Sequence, residues 1–174
     1  MSGIKDIRKS ASIKDNSNCA VVVAHPDDET LWCGGLILMH PEVKWTIVTL
    51  CRKSDGDRSP KFDKVMKVFG AKGVMGDLDD GPGQVPLAER DVQGAIMDML
   101  GGEKFDIIFS DPPYNKGLNE KVYKNLLHNQ LLKSGGILVL EHSAAENPIN
   151  YISDTEQIRT QKYGDTGISL IIWK

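Results

Sequence analysis

The sequence is poor in cysteine and in long apolar stretches, and it lacks an excess of positive charge. Its three cysteines, Cys19, Cys33 and Cys51, form no Cys-x-x-Cys pair, so we expect no disulfide framework and a reducing, cytoplasmic setting. No apolar run approaches the ~18 residues that a membrane-spanning helix needs, so no membrane partner is expected. The net charge of −3 argues against a nucleic-acid partner, because phosphate binding usually requires a basic surface.

Short apolar runs alternate with amphipathic segments along the chain. The apolar runs predict five strands, at residues 19–24, 45–50, 73–75, 105–110 and 136–141. This alternation predicts an α/β, Rossmann-like three-layer αβα sandwich with a mostly parallel sheet in the order 3-2-1-4-5. Residues 156–162 and 167–173 predict an additional C-terminal antiparallel strand pair. We therefore expect residues 1–174 to form a single domain.

Two polar motifs directly follow apolar runs. Residues 24–29 read Ala-His-Pro-Asp-Asp-Glu, and residues 111–114 read Asp-Pro-Pro-Tyr. In a sheet with this strand order, the order reverses between the first and fourth strands, and ligands bind beyond the carboxyl ends of the strands at that point. The sequence therefore predicts that the two motifs face each other across one crevice.

The first motif places an imidazole and three carboxylates within about one turn of chain. Zinc binds imidazole nitrogen and carboxylate oxygen, and a second carboxylate can take the proton from zinc-bound water. The alternative interpretation is that Asp27 and Asp28 only stabilise the start of the next helix. The complete motif after an apolar strand favours the metal-binding interpretation.

Residues 19–104 resemble the PIG-L/LmbE family of zinc N-deacetylases, which are Rossmann-like. The resemblance extends from the first motif through residues 49–52, 57–58 and 76–81. The family acts on amides of the N-acetylglucosamine type. The resemblance therefore implies a small N-acetylated sugar-type substrate and a zinc cofactor.

The same resemblance assigns roles to individual residues. It implies that His25 and Asp28 are metal ligands and that Asp27 is the catalytic general base. It also implies that Arg58 and Asp80 contact the substrate.

The family's third zinc ligand is a histidine after the fourth strand. Here no histidine follows Ser110 until His128, which lies late in a predicted helix. Two protein ligands alone hold zinc weakly. Asp111 and His142 are the two candidates for the missing ligand.

The second motif, Asp-Pro-Pro-Tyr, forms a stiff turn because each proline fixes φ and removes a backbone donor. A carboxylate on such a turn can accept hydrogen bonds from an amino group, and Tyr114 can stack on a base. The alternative interpretation is a rigid loop with a solvated Asp111.

Residues 105–174 resemble the RsmD-type 16S ribosomal RNA guanine-N2 methyltransferases. The resemblance rests on residues 105–114, 131–136, 139–142 and 162–166. It implies that Asp111 and Tyr114 bind the target guanine.

That family's methyl donor, S-adenosylmethionine, requires a glycine-rich loop after the first strand and an acidic residue at the end of the second. Here His25-Pro26-Asp27-Asp28 follows the first strand, and the second ends in Leu50-Cys51-Arg52. We therefore expect the S-adenosylmethionine site to be absent, with no cofactor-binding residues.

The two resemblances meet near Phe105, which predicts a chimera of a deacetylase-like half (1–104) and a methyltransferase-like half (105–174). A clean break of this kind favours an engineered hybrid over natural recombination. The leading hypothesis is a folded hybrid with an incomplete active site, weak residual zinc binding and no efficient catalysis. The alternatives are a zinc-dependent N-deacetylase and an S-adenosylmethionine-dependent RNA guanine-N2 methyltransferase or nucleobase-binding module.

Overall fold

The computed structural model describes residues 13–79, 81, 88–112, 118–152 and 157–174. Seven strands form one sheet: β1 (Asn18–Val23), β2 (Lys44–Thr49), β3 (Lys72–Met75), β4 (Phe105–Ser110), β5 (Leu132–Ser143), β6 (Gln157–Tyr163) and β7 (Thr166–Ile172). The helices are α1 (Asp28–Met39), α2 (Arg58–Phe69), α3 (Glu89–Leu100) and α4 (Leu118–Asn129), and a 3₁₀ turn spans Pro148–Asn150.

The sheet has the strand order β3-β2-β1-β4-β5-β7-β6. The first five strands are parallel, whereas β7 runs antiparallel to both β5 and β6. The predicted Rossmann-like fold class is confirmed, including the C-terminal antiparallel pair.

Two apolar clusters cover the two faces of the sheet. Strand β1 contributes to both, because Val21 lies in the cluster beneath α1 and α2 whereas Val22 lies in the cluster beneath α3 and α4. This two-sided burial explains why β1 is a continuous apolar run rather than an alternating one. Each large side chain that is fully buried, such as Ile47 or Ile108, contributes roughly 1.5–3 kcal/mol to stability.

Helix α4 ends at Asn129, directly before Gln130. Gln130 adopts a φ of 51°, which no residue of a right-handed helix can have. Leu132 instead begins β5 and pairs with Phe105 of β4. Leu131 and Leu132, which follow Gln130, are almost fully buried. Their burial in the core therefore determines where the helix ends.

Helix α1 exposes apolar side chains on the side facing away from the sheet. Trp32 is 51% exposed, whereas Trp45 and Trp173 are buried. The other exposed apolar residues of this helix are Leu31, Leu36, Leu38 and Met39. None of the helices in the described part of the chain is both long and apolar enough to cross a membrane.

A buried polar network joins the last three strands of the sheet. The His142 ring is fully buried, and its Nδ1 lies 2.8 Å from the carbonyl oxygen of Ser143. Its Nε2 lies 2.8 Å from Ser169 Oγ, which in turn lies 2.8 Å from Thr160 Oγ1. Because a carbonyl oxygen only accepts, Nδ1 is the donor to Ser143. Both ring nitrogens of His142 are therefore occupied by contacts within the sheet.

Gly167 allows the His142 ring to pack flat against β7. A Cβ atom at residue 167 would lie 2.8 Å from Nδ1 and 2.9 Å from Nε2 of that ring. We expect Gly167→Ala to destabilise the protein by about 1–3 kcal/mol, because the ring has no room to move. Urea unfolding followed by circular dichroism measures the difference.

Gly94→Ala is the matched control for this prediction. Residue 94 lies within α3, and a Cβ atom there would have no neighbour within 4 Å. Alanine should stabilise the helix by about 0.5–1 kcal/mol relative to glycine. Equal free energies of unfolding for the wild type and Gly167→Ala would contradict the close packing of Gly167 against the His142 ring.

Candidate active site

The two motifs meet at the point where the strand order reverses. Strand β1 lies between β2 and β4, and its last pairing with β4 joins Val22 to Ser110. The next residue, Asp111, lies with its backbone nitrogen 3.5 Å from the carbonyl oxygen of Val22. The loops that follow β1 and β4 therefore leave the sheet side by side, as the sequence predicts.

The loop between β1 and α1 is held by its own carboxylates. The backbone N–H of His25 donates to Asp28 Oδ2 over 3.1 Å, and the His25 ring lies 3.7 Å from the same oxygen. The backbone N–H of Asp27 donates to Glu29 Oε2 over 2.9 Å. Glu29 is 1% exposed and also accepts a hydrogen bond from the Thr30 hydroxyl. Asp28 and Glu29 therefore stabilise the loop by accepting hydrogen bonds from its backbone.

Asp27 has an unusual backbone conformation at this turn. Its φ is 138°, a value that glycine adopts readily and that other residues rarely show. Strained conformations of this kind persist where the surrounding structure enforces them, and they concentrate at functional sites. Asp27 therefore makes a tight turn directly after β1 without a glycine.

The side chain of Arg58 lies beside that of Asp27. Its Nη1 atom is 3.4 Å from Asp27 Oδ2, and the two side chains are 42% and 60% exposed. An ion pair with this exposure contributes little to stability. It does place a cation at the edge of the crevice.

Asp111 is the most perturbed acid of the crevice. The pKa of its carboxyl is raised to about 7, mainly by burial and in addition by the nearby carboxylates of Glu141 and Asp28. Glu141 is 1% exposed and comes from β5. Burial, together with the two neighbouring carboxylates, therefore makes Asp111 titrate near neutral pH.

The thiol of Cys33 responds to the same potential. Burial raises its pKa to about 12, and the carboxylates of Glu141, Asp111 and Glu29 act in the same direction. Cys33 lies on the inner side of α1, so the negative region reaches into the protein beneath the first motif.

Sequence reasoning assigned no role to Glu141. Its position follows from strand pairing, because Ser110 pairs with Leu140 and the next residues are Asp111 and Glu141. In the sequence, the signal for a role of Glu141 was its position as an acidic residue at the carboxyl end of an apolar run. Asp80 and Tyr114, both predicted to bind substrate, lie outside the described residues.

The predicted zinc site is wrong. Within the described residues, no three histidine, cysteine, aspartate or glutamate side chains are arranged to hold a metal ion. His142 cannot complete the set formed by His25, Asp28 and Asp111, since both of its nitrogens bind groups of the sheet. The physical reason is that Asp28 and Glu29 accept hydrogen bonds from the backbone of the loop between β1 and α1.

Comparison with known proteins decides the family. A family described as "Conserved hypothetical protein 95" matches residues 81–172, more than half of the chain. The chain belongs to this family. The RsmD-type resemblance of residues 105–174 is a resemblance to this same family.

One curated relative and several solved structures are similar to this chain. The uncharacterised methylase RP545 of Rickettsia prowazekii is 36% identical over 72 residues, which are 41% of this chain and 30% of that protein. The chain thus matches less than a third of the relative's length.

The structural likeness extends over nearly the whole chain. The Escherichia coli protein yhhF, named as a methyltransferase, is 17% identical with a TM-score of 0.60, covering 91% of this chain and 76% of that one. The SAH-bound methyltransferase PaMTH1 of Podospora anserina is 14% identical with a TM-score of 0.53, covering 91% and 72%. At these identities the likeness establishes the fold.

These findings correct the functional predictions. The family match begins at residue 81, ahead of the junction predicted near Phe105, and methyltransferase folds cover both predicted halves. The inactive engineered hybrid, the deacetylase and the hydrolase with an N-acetylated sugar substrate are therefore wrong.

Two predicted absences are contradicted as well. The absence of an S-adenosylmethionine site was expected because a glycine-rich loop is missing, and the likeness to methyltransferases, one of them SAH-bound, overturns it. A nucleic-acid partner was not expected because of the net charge of the whole chain, which does not describe a local surface. The family match and the similarity to methylases overturn that expectation.

The raised pKa of Asp111 predicts a pH-dependent stability. The carboxyl ionises near pH 4 in the unfolded chain and near pH 7 in the folded protein, so the folded state is weakened as the pH rises from about 4 to about 7. Asp111→Asn removes this effect. We expect the variant to be more stable than the wild type by on the order of 1–2 kcal/mol at pH 8, allowing for solvent screening, and equally stable at pH 4.

Urea unfolding at the two pH values measures this difference. Asp98→Asn, at an exposed position of α3, is the control and should change stability little at either pH. A gain for Asp111→Asn that is the same at pH 4 and pH 8 would contradict the electrostatic account.

Proposed function

We propose that the protein is an S-adenosylmethionine-dependent methyltransferase that modifies an amino group of a nucleobase in RNA, with guanine N2 as the target class. The observation that supports it most directly is Asp111 in the crevice between β1 and β4, within a chain of this family. The RsmD-type resemblance of residues 105–174 supports the nature of the substrate.

The residues of the crevice fit a cationic methyl donor. S-adenosylmethionine carries a sulfonium and an ammonium group, and the carboxylates of Asp28, Asp111 and Glu141 supply the opposite charge. Burial, and after it the charges of Glu141 and Asp28, raise the pKa of Asp111, and a bound cation would offset all of these effects. Arg58, at the edge of the crevice, is suited to the carboxylate of the donor. When bound, the donor supplies an electrophilic methyl group.

Asp111 acts on the acceptor amino group. Its carboxylate accepts a hydrogen bond from the N–H of the base, which fixes the orientation of the nitrogen. A base whose pKa lies near the working pH is also suited to receive the proton that the nitrogen loses. Tyr114, three residues later in the same motif, is assigned by the resemblance to stack on the target base.

Transfer of labelled methyl groups from S-adenosylmethionine to RNA tests the proposal. The wild type should label guanine N2 in a 16S ribosomal RNA fragment. Asp111→Asn should lower kcat by roughly 10²-fold or more, because it removes the proton acceptor. Asp98→Asn should retain the wild-type rate.

The pH profile separates a catalytic loss from a structural one. The wild-type rate should rise with pH and level off above about 7, since the ionised Asp111 is the active form. If folded wild-type protein labels no base in RNA at any pH, the proposed function is refuted.

A further inference from the structure

Helix α1 carries a concentrated apolar surface on the side that faces away from the sheet. Eight large apolar side chains are exposed in the described part of the chain, and five of them belong to the twelve residues of this helix. The other three lie one each on α2, α4 and β6, and single exposed apolar residues are ordinary. The surface defined here as the α1 face consists of Leu31, Trp32, Leu36, Leu38 and Met39.

The spacing of these residues places them together on one side of α1. An α-helix has about 3.6 residues per turn, so residues three and four apart lie on the same side. Cys33 and Ile37 are buried and mark the side that packs on the protein. Leu31, Gly35 and Met39 are all exposed and follow each other at four-residue spacing, so they form a row on the outer side.

No charged side chain interrupts the α1 face. Residues 30–39 contain no aspartate, glutamate, lysine or arginine. A helix that is apolar on all sides is typical of a position that is buried on all sides. Within the described residues, the apolar cluster beneath α1 and α2 covers the inner side of α1 and leaves the outer side exposed. The composition of α1 therefore indicates that another surface covers its outer side.

The area of the α1 face fits one half of a homodimer interface of standard size. At their observed exposures, the five side chains present apolar surface on the order of 500 Å², taking about 150–250 Å² for a fully exposed large side chain. A standard interface buries about 800 Å² per partner, and about 65% of a homodimer interface is apolar. The apolar area that each partner contributes to such a dimer is therefore also roughly 500 Å².

A second copy of this chain is the occupant that these features favour. A two-fold interface pairs the same patch on both subunits, so an uncharged apolar face is complementary to itself. The same face has no charge with which to attract a charged partner. Residues 1–12 of the chain are a poorer match, because they contain four charged residues and three large apolar ones, Met1, Ile4 and Ile7.

We infer that the α1 face is the interface of a two-fold symmetric homodimer, with Gly35 at the point where the two α1 helices cross. Gly35 lies between Leu31 and Met39 in the exposed row, and a Cβ atom there would have no neighbour within 4 Å in a single chain. Without a side chain at this point, two helix backbones can approach closely. The larger side chains around Gly35 then pack beside the second helix. The inference does not depend on the proposed function.

Sedimentation equilibrium of the full chain tests the inference. We expect the wild type to form dimers with a dissociation constant of about 1–10 μM. Met39→Glu should raise this constant roughly 100-fold, because it places an unpaired carboxylate in the interface. The variant should keep the circular dichroism spectrum of a folded chain, since residue 39 is 70% exposed in one chain. Leu127→Glu, at a 50% exposed position of α4, is the matched control and should dimerise as the wild type does.

Gly35→Ala separates the effect on the interface from the effect on the fold. In a single chain the added methyl group meets open space, and alanine favours a helix over glycine, so the fold is retained. In the dimer the methyl group keeps the two backbones apart, and we expect the dissociation constant to rise about 5- to 10-fold. Gly94→Ala, the same change at an open position of α3, should leave the constant unchanged.

A wild-type chain that stays monomeric at about 100 μM would overturn the inference. If that monomer also showed a blue shift of its tryptophan fluorescence with lipid vesicles, the α1 face would belong to a membrane surface instead. Dimers that form equally well in the wild type and in Met39→Glu would overturn it as well. Each of these results can occur whether or not methyl transfer is observed.

Discussion

The parallel pairing of β1 with β4 is the constraint on which the site depends. The paired residues Cys19 and Ile107 are 88 positions apart in the sequence, but they are neighbours in the sheet. The pairing brings the loop of His25 beside Asp111 and, through β5, places Glu141 next to both. A change of register by one residue would turn Asp111 to the other face of the sheet.

The crevice concentrates acidic groups where a globular protein would ordinarily avoid them. Glu141 and Glu29 are each 1% exposed, and Asp111 ionises only near neutral pH because of its burial and of the charges around it. Such an arrangement weakens the folded state without a bound cation. A ligand that brings positive charge would offset this repulsion, which connects the stability of the protein with the proposed binding of a methyl donor.

The fold could be predicted from the sequence because the positions of the strands follow from the apolar runs. The chemistry of the first motif could not be predicted in this way. Residues 24–29 have the composition of a metal site, but the sequence does not reveal that Asp28 and Glu29 accept hydrogen bonds from the loop itself. The role of Glu141 depends on strand register, and the exposure of Trp32 depends on which side of α1 meets the sheet. These are tertiary properties, so local patterns did not contain them.

Calorimetric titration of the purified chain measures whether the acidic crevice binds S-adenosylmethionine. We expect one binding site per chain at pH 8, with an affinity that decreases as the pH falls below about 7 and Asp111 becomes protonated. A protein that unfolds cooperatively, yet binds no S-adenosylmethionine at pH 8, would refute the proposed site.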